Sequence, residues 1–259
     1  MKKISIVIII FIGIAFFFFW RQGFEISSSP SKILESEMAI SIPVSEPVRS
    51  EAVPVVIEKQ QVIPMETIIQ DVSFISQAPT GNWKDLVFQN ACEEAALLMA
   101  EKWATGKKFG TLVEVEVEIR TLTKEEEKYF PKNSYDLSGA DTLLLTQKYF
   151  PRMQVALVKN VTTDDIKNAL FKGNTVIIPA NGQKLRNPNF TAPGPLYHTL
   201  LIRGYDPTTD EFITNDPGTR KGNGYRYAAD IIFDAMQDYE TGYHGKLFPD
   251  EKVMLVVSR

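Results

Sequence analysis

The chain has 259 residues, with 28 basic and 32 acidic side chains and a formal charge of −4; 44% is hydrophobic and 23% charged. This globular composition excludes a wholly disordered or collagen-like chain. It argues against a nucleic-acid partner, which favours a basic excess. A single cysteine excludes an intramolecular disulfide. With only His198 and His244 beside it, little is left for a zinc site, and no metal or cofactor is expected.

Met1-Lys2-Lys3 is basic, and Ile4 to Trp20 is an uncharged run of 17 residues. That length can cross a bilayer as a helix. The run ends in Phe-Phe-Phe-Phe-Trp with no small-residue cleavage site, which favours an uncleaved anchor over a signal peptide. The positive-inside rule puts the N-terminus in the cytoplasm. Residues 1–20 are therefore expected to anchor a single-pass protein in the cytoplasmic membrane, with its C-terminal domain outside. Residues 21–66 are rich in Ser, Pro and Glu and lack apolar periodicity, which predicts a linker. Val53 to Ile57 could add a short edge strand.

The folded domain should cover 67–259, long enough for a real core. Asp71–Ile75 predicts a short strand. Asn90–Trp103 (NACEEAALLMAEKW) predicts a helix, with Asn90 as N-cap and Gly106 as its stop. Val113–Ile119 alternates Val and Glu, which by period argues for a strand, while the following KEEEKYF argues for a helix. Ser138 caps a helix to about Tyr149, and Met153–Val158 is strand-like. Thr163 opens a helix ending at Gly173, and Asn174–Pro179 is a buried strand. A Gly/Pro/Asn-rich loop spans 181–195. Strands at Tyr197–Tyr205 and Glu211–Asn215, a helix near Ala229–Tyr239 and a strand at Lys252–Val257 follow. Helices first and strands later is an α+β pattern.

Three segments carry chemistry. Cys92 lies at the start of its helix, where N–H groups and the positive dipole end favour a thiolate. Glu93 and Glu94 oppose this, since adjacent negative charge raises a thiol pKa. His198 opens the hairpin YHTLLIRGYDPTTDEFITNDPG. A turn centred near Thr208 makes Leu200 face Asp216 and sets His198 diagonally beside Asp216 on one face, within reach of a hydrogen bond. A half-step shift or a bulge would put them on opposite faces. A carboxylate that orients a histidine, and a histidine that takes the thiol proton, is nucleophile–base–orienter logic. Gln77, fifteen residues before Cys92, could hold an oxyanion beside the Cys92 N–H.

VSFISQAP, NACEEAALLM, VIIP, YHTLLIRGYD and FITNDPG resemble the bacteriocin-processing (double-glycine leader) peptidases and their stand-alone relatives, in the papain-like superfamily. The likeness covers about residues 70–257. It implies a papain-like α+β fold, with a helical part carrying the Cys and an antiparallel sheet carrying the His and Asp. It implies Cys92 as nucleophile, His198 as general base and acid, Asp216 as orienter and Gln77 as oxyanion donor, and a helix at 113–129. The chain departs from the transporter-fused members: Glu-Glu follows Cys92 where they tend to have Gly, the Gln77–Cys92 gap is longer, and no GxxxxGK[ST] motif is present. The loop leading to His198 could wall the substrate cleft, Lys184 and Arg186 meeting an acidic peptide, with Tyr197 at its end. Thr219–Gly224 is a basic glycine-rich loop without the surroundings of a phosphate loop.

The expected activity is peptide-bond hydrolysis on a peptide or protein substrate by a Cys-His-Asp triad. A cell-wall peptide amidase of the same fold and an inactive peptide-binding module are the alternatives. Glu93 and Glu94 keep the last of these open.

Overall fold

The computed structural model describes residues 66–259. The anchor expected at 1–20, the linker through residue 65 and the strand at Val53–Ile57 lie outside the described residues. Among the described residues no helix is long and apolar enough to cross a membrane.

The elements run β1 (Ile68–Ile69), α1 (Leu86–Asn90), α2 (Cys92–Thr105), α3 (Leu112–Glu126), α4 (Gly139–Tyr149), β2 (Gln154–Lys159), α5 (Thr163–Phe171), β3 (Thr175–Ala180), β4 (His198–Asp206), β5 (Glu211–Asn215), β6 (Asn223–Ala228), α6 (Ala229–Ala235), β7 (Asp238–Tyr239), β8 (Leu247–Phe248) and β9 (Val253–Ser258). The main sheet is ordered β2-β9-β3-β4-β5-β6, with β1 paired to β4, and its pairings are antiparallel.

Period 2 divides the strands between two cores. Ile177, Leu201, Leu255 and Val257 pack with α2 and α3, through Leu97, Met99, Val115 and Ile119. Val176, Ile178, Leu200, Ile202 and Met254 pack with α5 and α6, through Ile166, Leu170 and Ile232. A strand covered on both faces needs no polar side, so β3 is apolar from Val176 to Ala180 and buried throughout. Helix α2 is buried almost all round, which marks an internal helix.

Several expectations change. Asp71–Ile75 is not a strand; its backbone is met by side chains instead, Asn215 Nδ2 donating to the Val72 carbonyl at 3.1 Å. Asn90 does not cap α2. It ends α1, its Nδ2 donating back to the Leu86 carbonyl at 2.8 Å, and Ala91 starts α2 without a side-chain cap. The Val/Glu alternation at 113–119 lies in a helix. Thr111 and Glu114 form a capping box, and Val115, Ile119 and Leu122 are buried at helical spacing while Val113 and Val117 are exposed. A capped helix with one apolar stripe outweighs a local period of 2. Strand β6 takes in part of the glycine-rich loop expected at 219–224, and α6 stops at Ala235 rather than near Tyr239.

Candidate active site

The chain enters the site along α1. Asp85 caps that helix by accepting from Val87 N–H at 3.0 Å. The turn at Ala91 then makes Cys92 the first residue of α2. The thiol thus sits at a 14-residue helix's N-terminus, 3% exposed, lining a cleft of about 680 Å³ that also holds Gln77 and His198. A smaller cavity of about 200 Å³ by Arg120 and Tyr135 contains none of these three residues.

His198 opens β4 and Asp216 lies one residue past β5. Near the turn the pairing is Asp206↔Glu211 and Gly204↔Ile213; beyond a bulge between Ile202 and Gly204 it is Ile202↔Thr214 and Leu201↔Asn215. The first pairs sum to 417 and the last to 416, so the bulge moves the register by half a step. The turn is itself half a step from the expected centre, and the two offsets cancel. His198 and Asp216 thereby share a face, and His198 Nε2 meets Asp216 Oδ1 at 2.9 Å.

Asp216 is fully buried and well supplied with donors. Oδ1 also accepts from Gly218 N–H at 3.0 Å, and Oδ2 from Tyr227 O–H at 2.5 Å and Asn187 Nδ2 at 3.4 Å. Burial alone would raise this carboxyl. The His198 charge and the bonds from His198, Tyr227 and Gly218 outweigh it and hold the group below the usual carboxylate range. Gly218 is needed for close approach, because a Cβ there would lie 2.8 Å from His198 Cε1. Phe190 closes the ring's side edge-on, at 5.3 Å between centroids. With Nε2 taken by Asp216, Nδ1 has no protein partner among the described residues and is free for a proton from the cleft.

The thiol side is built oppositely. Cys92 Sγ donates to Glu93 Oε2 at 3.0 Å, and Glu93 Oε1 accepts from Tyr239 O–H at 2.7 Å and Thr199 Oγ1 at 3.2 Å. Burial pushes the Cys92 thiol well up, and the charges of Glu93 and Asp136 push the same way. Burial, then the charges of Asp136 and Glu94, bring Glu93 up to about 8. Behind it Glu94 and Glu126 form a buried carboxyl pair, both pushed up chiefly by burial. Sequence reasoning read Glu93 and Glu94 only as nearby charge. The signal for more was two adjacent acids in the first turn of a helix whose next six residues, Ala95 to Ala100, are all apolar.

Gln77 lines the cleft and is 4% exposed. Its Nε2 donates to the carbonyls of Phe88 at 3.1 Å and Gln89 at 2.9 Å, while its Oε1 has no partner. Tyr197 lines the cleft, with its hydroxyl on the Gly245 carbonyl at 2.6 Å. Lys184 and Arg186 do not line it. Lys184 reaches away to Asp234 at 3.2 Å, and Arg186 is exposed. The same loop instead contributes Phe190, Thr191, Gly194 and Pro195, while its cations stay in water.

The family model for the Peptidase_C39 like family matches residues 69–246. The chain belongs to that family. It is a cysteine peptidase, and a peptide or protein is its substrate class. No curated protein matches the chain. Among solved structures, the chain is similar to a candidate C39-like peptidase from Bacillus anthracis. The identity is 16%, covering 75% of this chain and 98% of that one, with a TM-score of 0.47. The helical part and antiparallel sheet fit the papain-like α+β arrangement of the C39 peptidases.

Proposed function

We propose that this C39-family chain is a membrane-anchored, extracytoplasmic cysteine peptidase working through Cys92, His198 and Asp216. The observation that carries the reading is the buried 2.9 Å His198–Asp216 bond, in a cleft shared with a thiol at a helix N-terminus. Asp216 accepts from Nε2–H and so keeps the proton there, leaving Nδ1 as the base. Nδ1 takes the Cys92 proton, and the thiolate attacks the amide carbonyl. His198 then protonates the leaving amine, and later activates the water that hydrolyses the thioester.

Gln77 Nε2 and the Cys92 N–H are the proposed oxyanion donors. In the free enzyme Nε2 rests on two carbonyls, so this duty requires one of those bonds to yield when substrate arrives, in keeping with the looser geometry of unliganded sites. The anchor at 1–20, the linker at 21–66 and the catalytic domain at 67–259 complete the proposal. Its support is the apolar run Ile4–Trp20 behind Met1-Lys2-Lys3 and the positive-inside rule.

The test is hydrolysis by the detergent-solubilised full chain of a casein-type peptide panel and, in parallel, of purified peptidoglycan. The wild type is expected to cleave the peptide panel, while Cys92→Ala and His198→Ala each lose turnover with an unchanged circular dichroism spectrum. Turnover retained in folded Cys92→Ala would sink the mechanism. Cleavage of peptidoglycan alone would reassign the bond to a wall amidase.

A further inference from the structure

The cleft beside Cys92 holds one carboxylate outside the proposed catalytic machinery, and no lysine or arginine lines it. That carboxylate is Asp136, in the loop between α3 and α4, 3% exposed. Its Oδ2 accepts from the His244 N–H at 2.8 Å. Its Oδ1 has no hydrogen-bond partner among the described residues. Aromatic rings stand alongside. Tyr197 stacks on His244 at 5.2 Å and 7°, and His244 on Tyr243 at 4.0 Å and 22°. A buried carboxylate with a free oxygen, next to aromatic faces, is the chemistry that recognises an ammonium or guanidinium group.

We infer that Asp136, with Tyr197 and His244, forms a specificity subsite for a positively charged side chain of the substrate. The inference rests on the peptidase reading above and deepens it by naming a substrate class. It also reverses the acidic peptide that Lys184 and Arg186 suggested, since neither reaches the cleft. Asp136 lines the cleft with Cys92, Tyr197 and His244, and its charge acts on Glu93 and Glu94 of α2. His244 is the one member of that set able to carry positive charge. A lysine or arginine side chain entering here would meet the Asp136 carboxylate, unopposed by any lining lysine or arginine, in a partly dry site where charge pairing is strongest.

The test separates recognition from catalysis by using the full chain carrying Cys92→Ala, which binds without cleaving. Its probes are fluorescein-labelled hexapeptides of alanine and glycine with one lysine, or one uncharged norleucine, at successive positions. Fluorescence anisotropy is expected to give about tenfold or tighter binding for lysine at one position. The ratio should fall to about one when Asp136→Asn is added, and survive in Asp136→Glu. Asparagine keeps an acceptor for the His244 N–H, and circular dichroism checks that the fold persists. Equal affinity of the two series, no binding of either at millimolar peptide, or a lysine preference that survives Asp136→Asn would each overturn the subsite. If the preference holds but the Cys92-containing enzyme cleaves nothing, the subsite stands and the proposed hydrolysis falls. If cleavage occurs without the preference, the reverse is true.

Discussion

Two carboxylates stand behind the same cleft, one bonded to His198 and one to Cys92, and meet opposite fates. Asp216 is fully buried yet accepts from His198, Gly218, Tyr227 and Asn187, and its carboxyl is held low. Glu93 is just as buried, accepts from three donors, and is pushed up to about 8. Burial is the largest single influence on both. The difference lies in the company each keeps. Asp216 faces an imidazole that can carry positive charge. Glu93 faces Glu94, Asp136 and a thiol, so every neighbour that ionises does so with the same sign. Burial therefore does not decide a carboxyl's charge by itself; the sign of the neighbouring charge does.

The sharpest break of this contrast is Asp216→Asn. The amide would keep the shape and a partner for Tyr227. It can also present N–H to His198 Nε2, which moves the imidazole proton to Nδ1 and removes the base. The expected loss is about 10²–10⁴ in kcat, with KM little changed and thermal stability nearly kept. A variant with wild-type kcat would mean that Asp216 does not set the tautomer.

The opposite side is tested by Glu93→Gln. Glutamine keeps an acceptor for the thiol but carries no charge. Above about pH 8 the wild-type carboxylate holds the Cys92 proton, and the amide cannot do so to the same degree. The pH profile of Cys92 alkylation by iodoacetamide should move down by about one unit, roughly tenfold faster reaction at a fixed pH on its rising limb. Coincident profiles for the two proteins would show that Glu93 does not govern the thiol.

The same contrast explains what could be read in advance. Both arms of the His198–Asp216 pair lie in one hairpin, so turn position and period 2 placed them close together. The sequence did not reveal that two half-step offsets cancel: the turn is centred between residues and the bulge at Arg203 restores the face. A bulge leaves no motif of its own. Cys92 at a helix start was legible because α2 is rich in the strong helix formers Ala, Leu, Met and Glu. That its cap is Ala91 was not, since Asn90 is consumed by the α1 carbonyl of Leu86. The acidic side of the cleft was the least legible. Glu94 meets Glu126 from α3 and Glu93 meets Thr199 from β4 and Tyr239 from β7, and such contacts depend on tertiary packing. The basic loop pair Lys184 and Arg186 misled for the same reason, as proximity along the chain to His198 did not bring either into the cleft.

The mildest effect concerns stability, and its sign follows from the raised groups. Glu93 goes up to about 8, and Glu94 and Glu126 also lie above the ordinary carboxyl range. Unfolded carboxyls release their protons near about 4.3. Between that pH and about 8 the native state therefore holds protons that the unfolded chain has lost, and stability falls as pH rises. Asp216 acts in the reverse sense: its contribution is complete above the ordinary aspartate value and is lost only as pH falls through its lowered one. Across pH 5 to 8 the Glu93–Glu94–Glu126 group should dominate, lowering the melting temperature by a few degrees. Replacing the pair in Glu94→Gln/Glu126→Gln removes two of the three titrations while keeping amide hydrogen bonding, with Thr123 still able to donate to residue 94 as it does now at 2.6 Å. The slope of melting temperature against pH should flatten accordingly. A wild-type melting temperature that is level or rises over this interval would mean that these carboxyls ionise normally, and that the two sides of the cleft differ less than their hydrogen bonds imply.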